Sequence, residues 1–170
     1  MEGKMNIWKR LLTILLVTLS CVGCDQGSKA LAVQHLPRNE SYSFFFDIFR
    51  VSYAENIGAF LGMGEQFSEH TRFIIFVVII GLFLLGLLLY LIINTQQQLP
   101  SVIALSLVFS GGLSNFYDRM YNNGAVIDFL NLGLGSFRTG IFNIADMAIL
   151  LGAIMLVFSQ SNRTQRKRVL

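Results

Sequence analysis

The sequence predicts an α-helical membrane protein with four transmembrane helices, and three observations carry that prediction. Hydrophobic residues make up 54% of the 170 residues and charged ones only 14%, against about 25% charged in an average soluble domain. Mean hydropathy is +0.59. The apolar residues are gathered into long uncharged blocks, the pattern of a chain whose solvent is lipid. Disordered, collagen-like and coiled-coil classes are excluded by the same composition.

The first block runs from Leu11 to Cys24 and continues as a helix to Val33, with Asp25 and Lys29 near its far end. The second, Phe73 to Ile93, holds 21 residues and no charge. The third begins at Leu99-Pro100, where proline suits the first helical turn, and reaches Tyr117 just before Asp118-Arg119. The fourth, Ile141 to Phe158, is interrupted only by Asn143 and Asp146. The chain thus reads as one integral domain with spans at about 11–33, 73–93, 99–117 and 141–158, and outer segments 34–72 and 118–140.

An even number of spans puts both termini on one side. Of the 13 basic residues, Lys4, Lys9, Arg10, Arg163, Arg166, Lys167 and Arg168 lie at the two ends, which selects the cytoplasm as that side. The connector Asn94 to Gln98 is uncharged and adds no vote. The C-terminal basic cluster suits anionic headgroups better than nucleic acid. In the first outer segment, Ser41 to Tyr53 is rich in aromatic and β-branched residues and reads as a strand or hairpin. Phe44-Phe45-Phe46 reads equally as an interfacial aromatic anchor.

Ionisable groups in or beside a span are costly unless paired or hydrated, which makes each a functional candidate. Asp25 and Lys29, four apart, read first as a helix-end salt bridge. Asp118-Arg119 reads first as an ion pair at the membrane surface. Asp146, inside the fourth span about 8 Å from its start at 1.5 Å per residue, reads as functional, with Asn143 on the same helical face. Asp128 sits in the loop before it. Glycines 133, 135 and 140 allow that loop to fold back and bring the two carboxylates together, where they would share one proton. One would then activate a water while the other polarises a scissile carbonyl.

Other chemistries lack parts. His35 and His70 have no carboxylate or cysteine at ligand spacing, so no metal is expected. Cys21 and Cys24 form no disulfide framework. No phosphate-binding or dinucleotide fingerprint is present.

Taken in order, Asp25-Gln26-Gly27-Ser28-Lys29, Asn56-Ile57-Gly58-Ala59-Phe60, Gly111-Gly112-Leu113-Ser114-Asn115-Phe116-Tyr117-Asp118-Arg119, Val126-Ile127-Asp128-Phe129 and Phe142-Asn143-Ile144-Ala145-Asp146 resemble the bacterial lipoprotein signal peptidase (signal peptidase II) family, aspartic endopeptidases of four spans. The resemblance covers Asp25 to about Ala153. It implies a catalytic dyad of Asp128 and Asp146. Asn56, Asn115, Arg119 and Asn143 would line the site and hold substrate backbone, with Asp25, Lys29 and Asp118 in support. It further implies an extracytoplasmic β-cradle, a short interfacial helix over Gly64 to Arg72, no cofactor and a monomer in the bacterial inner membrane. Its substrates would be diacylglyceryl-modified prolipoproteins, cut before the lipidated cysteine. Ser114 stands where the family usually has glycine, and the Asn56 block has one alanine before Phe60 where a second small residue is usual.

Two other functions compete. Lys4, Lys9 and Arg10, then an apolar run ending Val22-Gly23-Cys24, look like the signal peptide of a lipoprotein cleaved before Cys24. Alternatively Asp25, Lys29, Asp118, Arg119 and Asp146 line a polar path in a small transporter or proton relay. Against the latter, no comparable set is visible near Asn94 to Gln98.

Overall fold

The computed structural model describes residues 5–59 and 63–168, with side chains up to residue 159. Lys4, Phe60 and the basic cluster at 163–168 therefore lie outside the described side chains. Four helices pack around one another and carry a small sheet at one end. α1 (Ile7–His35) is capped by the Asn6 side chain, which accepts the Trp8 N–H, and ends at Leu36-Pro37, where proline stops it. α2 (Glu69–Ile93) is capped by Ser68, α3 (Leu99–Tyr121) has proline in its first turn, and α4 (Ile144–Arg168) follows Asn143.

α1, α2 and α3 are each long and apolar enough to cross a membrane, and Ile144–Ser159 of α4 is a shorter apolar helix. α3 is the central element, packed against the other three. Ile14, Leu84, Leu91, Val102 and Phe109 form the apolar core. Glycine allows α3 and α4 to approach closely: a Cβ on Gly111 would lie 2.3 Å from the Ala145 carbonyl oxygen, and one on Gly152 2.5 Å from that of Ala104. With lipid outside, such close packing is a main source of helix association.

The sheet is antiparallel in the order β1 (Ser41–Phe44), β2 (Phe49–Asn56), β3 (Val126–Leu134), β4 (Phe137–Arg138). The segment 41–53 expected as a strand or hairpin forms the β1–β2 hairpin. The register slips between Val51 and Ala54, and Asp128 comes opposite Ala54.

Several particulars differ from the expectations. Asp128 lies in β3 and not in a loop, because the run Val126 to Leu134 finds in β2 a partner 70 to 83 residues earlier in the chain. No local pattern announces that pairing. The fourth helix begins at Ile144 and not near 141, since Phe142 still pairs with Leu130 and Asn143 caps the helix. Asp146 consequently sits in its first turn. The stretch 64–72 does not form a separate surface helix: turns lead to Ser68, and Glu69–Phe73 continues without a break into the apolar helix. Nothing between Phe73 and Ile74 stops it, although Ile74–Ile79 widens into a π-helical turn. Finally Arg10, one of the basic residues counted at the N-terminal end, is fully buried and donates to the carbonyls of Leu91 and Asn94 at the end of α2. Gln97, three residues after Asn94, is also buried, so that end of the bundle is not purely apolar.

Candidate active site

At the other end of the bundle, the sheet and the helix ends meet over a cluster of buried polar side chains. Asp25, Lys29, Asp118, Asp128 and Asn143 are each at most 2% exposed. Burial at that level is tolerable only with complete hydrogen bonding.

Lys29 supplies the centre. Its ammonium reaches Asp25 at 2.6 Å, Asp118 at 2.9 Å and the Asn115 Oδ1 at 3.0 Å, which occupies all of its donors. The two carboxylates then extend the network to backbone. Asp25 Oδ1 accepts the Ala145 N–H at 2.8 Å, and Asp118 Oδ2 accepts the Ile127 N–H at 3.1 Å. Each of these amides belongs to the residue immediately before Asp146 or Asp128. Ser114 donates to Asp25 and Gln26 donates to both Ser114 and Asp118. The hydroxyl at position 114 is thus absorbed into the network.

Above this layer stand Asp128 and Asp146. Asp128 accepts from the Asn143 amide at 2.6 Å and from the Asn56 amide at 3.0 Å, one on each oxygen. Asp146 accepts from the Asn115 amide at 2.9 Å and from the Asn143 backbone N–H at 3.1 Å, again one on each oxygen. Asn143 Oδ1 in turn accepts the Asp146 N–H at 2.9 Å. This reciprocal pair is a capping box with Asn at the cap and Asp in place of Glu. Helix initiation itself fixes the Asp146 side chain, and Asn143 bonds both carboxylates.

Burial raises the Asp128 carboxyl to about 6, the Asp146 charge adds to the effect, and the amides of Asn56 and Asn143 and the charge of Lys29 oppose it. A carboxyl so placed exchanges its proton near neutral pH, as acid–base chemistry requires.

Asn56, Asn115, Arg119, Asp128 and Asp146 line one cavity of about 310 Å³ whose remaining wall includes Val126, Leu132, Thr139, Phe142, Met147 and Leu150. The predicted site residues are therefore brought together in two tiers. These five face the cavity, Asn143 links the two carboxylates, and Asp25, Lys29 and Asp118 lie beneath. Asp25 and Lys29 do form the expected salt bridge. Asp118 and Arg119 do not pair as read from sequence: adjacent residues on a helix point to different sides. Asp118 turns to Lys29, whereas Arg119 donates to the Gly58 carbonyl at 2.7 Å and stacks over the Phe76 ring at 5.4 Å. Gln26 was not singled out from the sequence. Its place next to Asp25 and three before Lys29 was the available signal.

A family model described as signal peptidase (SPase) II matches residues 17–161 of the chain. The chain belongs to the signal peptidase II family. Among relatives, the lipoprotein signal peptidase of Syntrophus aciditrophicus is 34% identical over 94% of this chain and 99% of its own. That of Psychromonas ingrahamii is 36% identical over 85% and 82%, and that of Borreliella burgdorferi 31% over 88% and 89%. The fold resembles a solved bacterial membrane enzyme, determined by the in meso method at 2.3 Å, with TM-score 0.78 and 28% identity over 98% of this chain and 96% of that one. Membership makes the chain an aspartic peptidase embedded in a membrane.

Proposed function

We propose that the chain removes signal peptides from diacylglyceryl-modified prolipoproteins by cutting before the lipidated cysteine, with Asp128 and Asp146 as the catalytic dyad. The observation that supports the dyad is the single asparagine, Asn143, that bonds both carboxylates at the wall of one cavity. Each carboxylate oxygen already holds one protein donor, which fixes its direction and leaves a lone pair for water or substrate.

With one proton shared, the ionised aspartate takes a proton from a water held between the two. That water's oxygen bonds to the scissile carbonyl carbon as the protonated aspartate gives its proton to the carbonyl oxygen. The tetrahedral diol then collapses, its C–N bond breaks, and the amine of the cysteine leaves with a proton returned by the dyad. Asn56, Asn115 and Arg119 hold the substrate backbone in this proposal. Asp25, Lys29 and Asp118 set the dyad's spacing from below. No cofactor takes part.

The chain would act as a single integral domain and a monomer, with both termini cytoplasmic and the sheet and site at the extracytoplasmic face. Substrate lipid tails would then remain in the bilayer beside Met147 and Leu150, where packing against these side chains and not removal from water would contribute to recognition. Family membership displaces the transporter alternative. The lipoprotein alternative would cut α1 before Cys24 and detach its first half from Asp25, which anchors Ala145.

Purified enzyme should be given a prolipoprotein with and without the diacylglyceryl group on cysteine, and the products sized by mass. Cleavage of the lipidated form alone, at the bond before its cysteine, is expected. Cleavage elsewhere, or equal cleavage of both forms, would overturn the substrate assignment.

A further inference from the structure

One feature of the sheet has no part in the network above. The turn between β1 and β2 holds Phe45, Phe46 and Asp47 at φ of 54°, 55° and 68°, a left-handed conformation that bulky residues rarely adopt. Both rings stand outward. Phe46 is 104% exposed and Phe45 76%. Beside them the β3–β4 turn presents Leu134 at 72% and Phe137 at 88%.

The two turns are tied into one unit. Gly133 N–H donates to the Ile48 carbonyl at 2.9 Å, and Arg138 donates to the Asp47 carbonyl at 2.7 Å and to its carboxylate at 3.3 Å. Arg50 adds a bidentate bond to the same carboxylate at 2.6 Å, which holds Asp47 ionised well below the usual carboxylate range. A rigid polar clasp thus sits directly behind a cluster of unburied phenyl rings. Strained backbone that exposes apolar rings in water is unfavourable twice over, and persists where a partner offsets it.

The apolar surface leads from this cluster to the membrane helices. Phe44, Phe49 and Leu132 stand opposite one another across β1, β2 and β3, so their side chains share one face, and the rings of Phe44 and Phe49 touch at 6.2 Å between centroids. Leu132 then shares a cavity wall with Met147 and Leu150 of α4, both of them more than half exposed on the apolar helix. The row therefore continues the face that α4 turns to lipid.

We infer that the paired turns form a membrane wedge: Phe45, Phe46, Leu134 and Phe137 insert into the interfacial region of the lipid bilayer and hold the sheet down over the mouth of the cavity. Phenyl and leucyl side chains are buried favourably at the boundary between headgroups and acyl chains, while the Asp47–Arg50–Arg138 clasp stays at headgroup level. The inference concerns lipid contact and stands whether or not the peptidase assignment does.

The test uses tryptophan fluorescence. The full chain has one tryptophan, Trp8, so a Trp8→Phe, Phe46→Trp double variant reports from the turn alone, and position 46 touches nothing whose loss would unfold the protein. In nanodiscs of phosphatidylcholine and phosphatidylglycerol, the emission is expected to shift to the blue of free tryptophan amide and to be quenched roughly twofold or more by lipids bearing a nitroxide near the headgroup, as for an interfacial ring. Iodide in the buffer should quench little. Water-like emission with strong iodide quenching would overturn the wedge, and so would a blue shift that nitroxide lipids leave unquenched, which would indicate burial against a second copy.

Discussion

Asp25 on α1 accepts the backbone N–H of Ala145 at the start of α4, at 2.8 Å across 120 positions of sequence. Asp118 holds Ile127 in the same way. Lys29 joins the two holding carboxylates. The spacing of Asp128 and Asp146 is therefore set by a buried ion cluster that touches neither of them directly, through the backbone of the residue preceding each.

Removing the ammonium leaves two buried carboxylates facing one another. Lys29→Met is expected to cost about 3–5 kcal/mol, the usual penalty for orphaning a buried charge, seen as a large fall in Tm in detergent and loss of cleavage. Asp118→Asn retains a partner for Lys29 in Asp25 and should cost less. Equal Tm values for Lys29→Met and wild type would show that the cluster does not hold the helices.

Two neighbouring glycines should respond differently to the same change. A Cβ at Gly111 meets the Ala145 carbonyl oxygen at 2.3 Å, which is backbone and adjoins Asp146, while one at Gly112 meets only the end of the Leu84 side chain at 2.7 Å. Gly111→Ala should push α4 away, destabilise by about 1–3 kcal/mol and lower kcat. Gly112→Ala should leave both nearly unchanged, because a leucine rotamer can give way. Matching effects on kcat and Tm would contradict the close-packing role assigned to Gly111.

Asn143 serves as both helix cap and carboxylate link, and substitutions separate the roles. Asn143→Ser keeps a capping hydroxyl and should stay within about 1 kcal/mol of wild type in stability. It loses the amide that reaches Asp128, and kcat is expected to fall about 100-fold or more, as for removal of a positioned donor. Full activity in the serine variant would place the linking function elsewhere.

Asp128 makes stability depend on pH in a stated direction. Its carboxyl is raised from the ordinary range to about 6, so the folded state holds the proton more tightly than the unfolded one. The associated stabilisation is complete below about pH 4 and is lost as pH rises through about 6. Asp128→Asn cannot ionise, and should gain on wild type between pH 4 and pH 7 by up to about 3 kcal/mol. A Tm difference that stays constant over that range would contradict the raised value. In activity, the limb of the kcat/KM profile that titrates with Asp128 is expected near pH 6.

Much of this was legible in the sequence because lipid enforces simple rules. The run Phe73 to Ile93 can be little else than a helix, and an aspartate at 146 within an apolar stretch demands an explanation. The five motif blocks named the residues that the fold gathers. What stayed hidden was long-range. Val126 to Leu134 is a strand only because β2 pairs with it, so Asp128 read as a loop residue. The neighbours Asp118 and Arg119 read as partners until the helix turned them apart. Arg10 counted only as a basic residue at the N-terminal end, whereas the carbonyls at the end of α2 draw it into the bundle. The left-handed turn at Phe45 and Phe46 follows from closing a short hairpin, a condition that aromatic composition does not express.

The most direct test of the dyad compares wild type with Asp128→Asn and Asp146→Asn, each purified and shown to be folded by its thermal transition, in the gel-shift cleavage of a diacylglyceryl prolipoprotein. Both variants are predicted to be folded and to retain less than about one thousandth of the wild-type rate, as expected when half of an acid–base pair is removed. Near-wild-type cleavage by either folded variant would contradict the assignment of Asp128 and Asp146 as the groups that activate water and protonate the carbonyl.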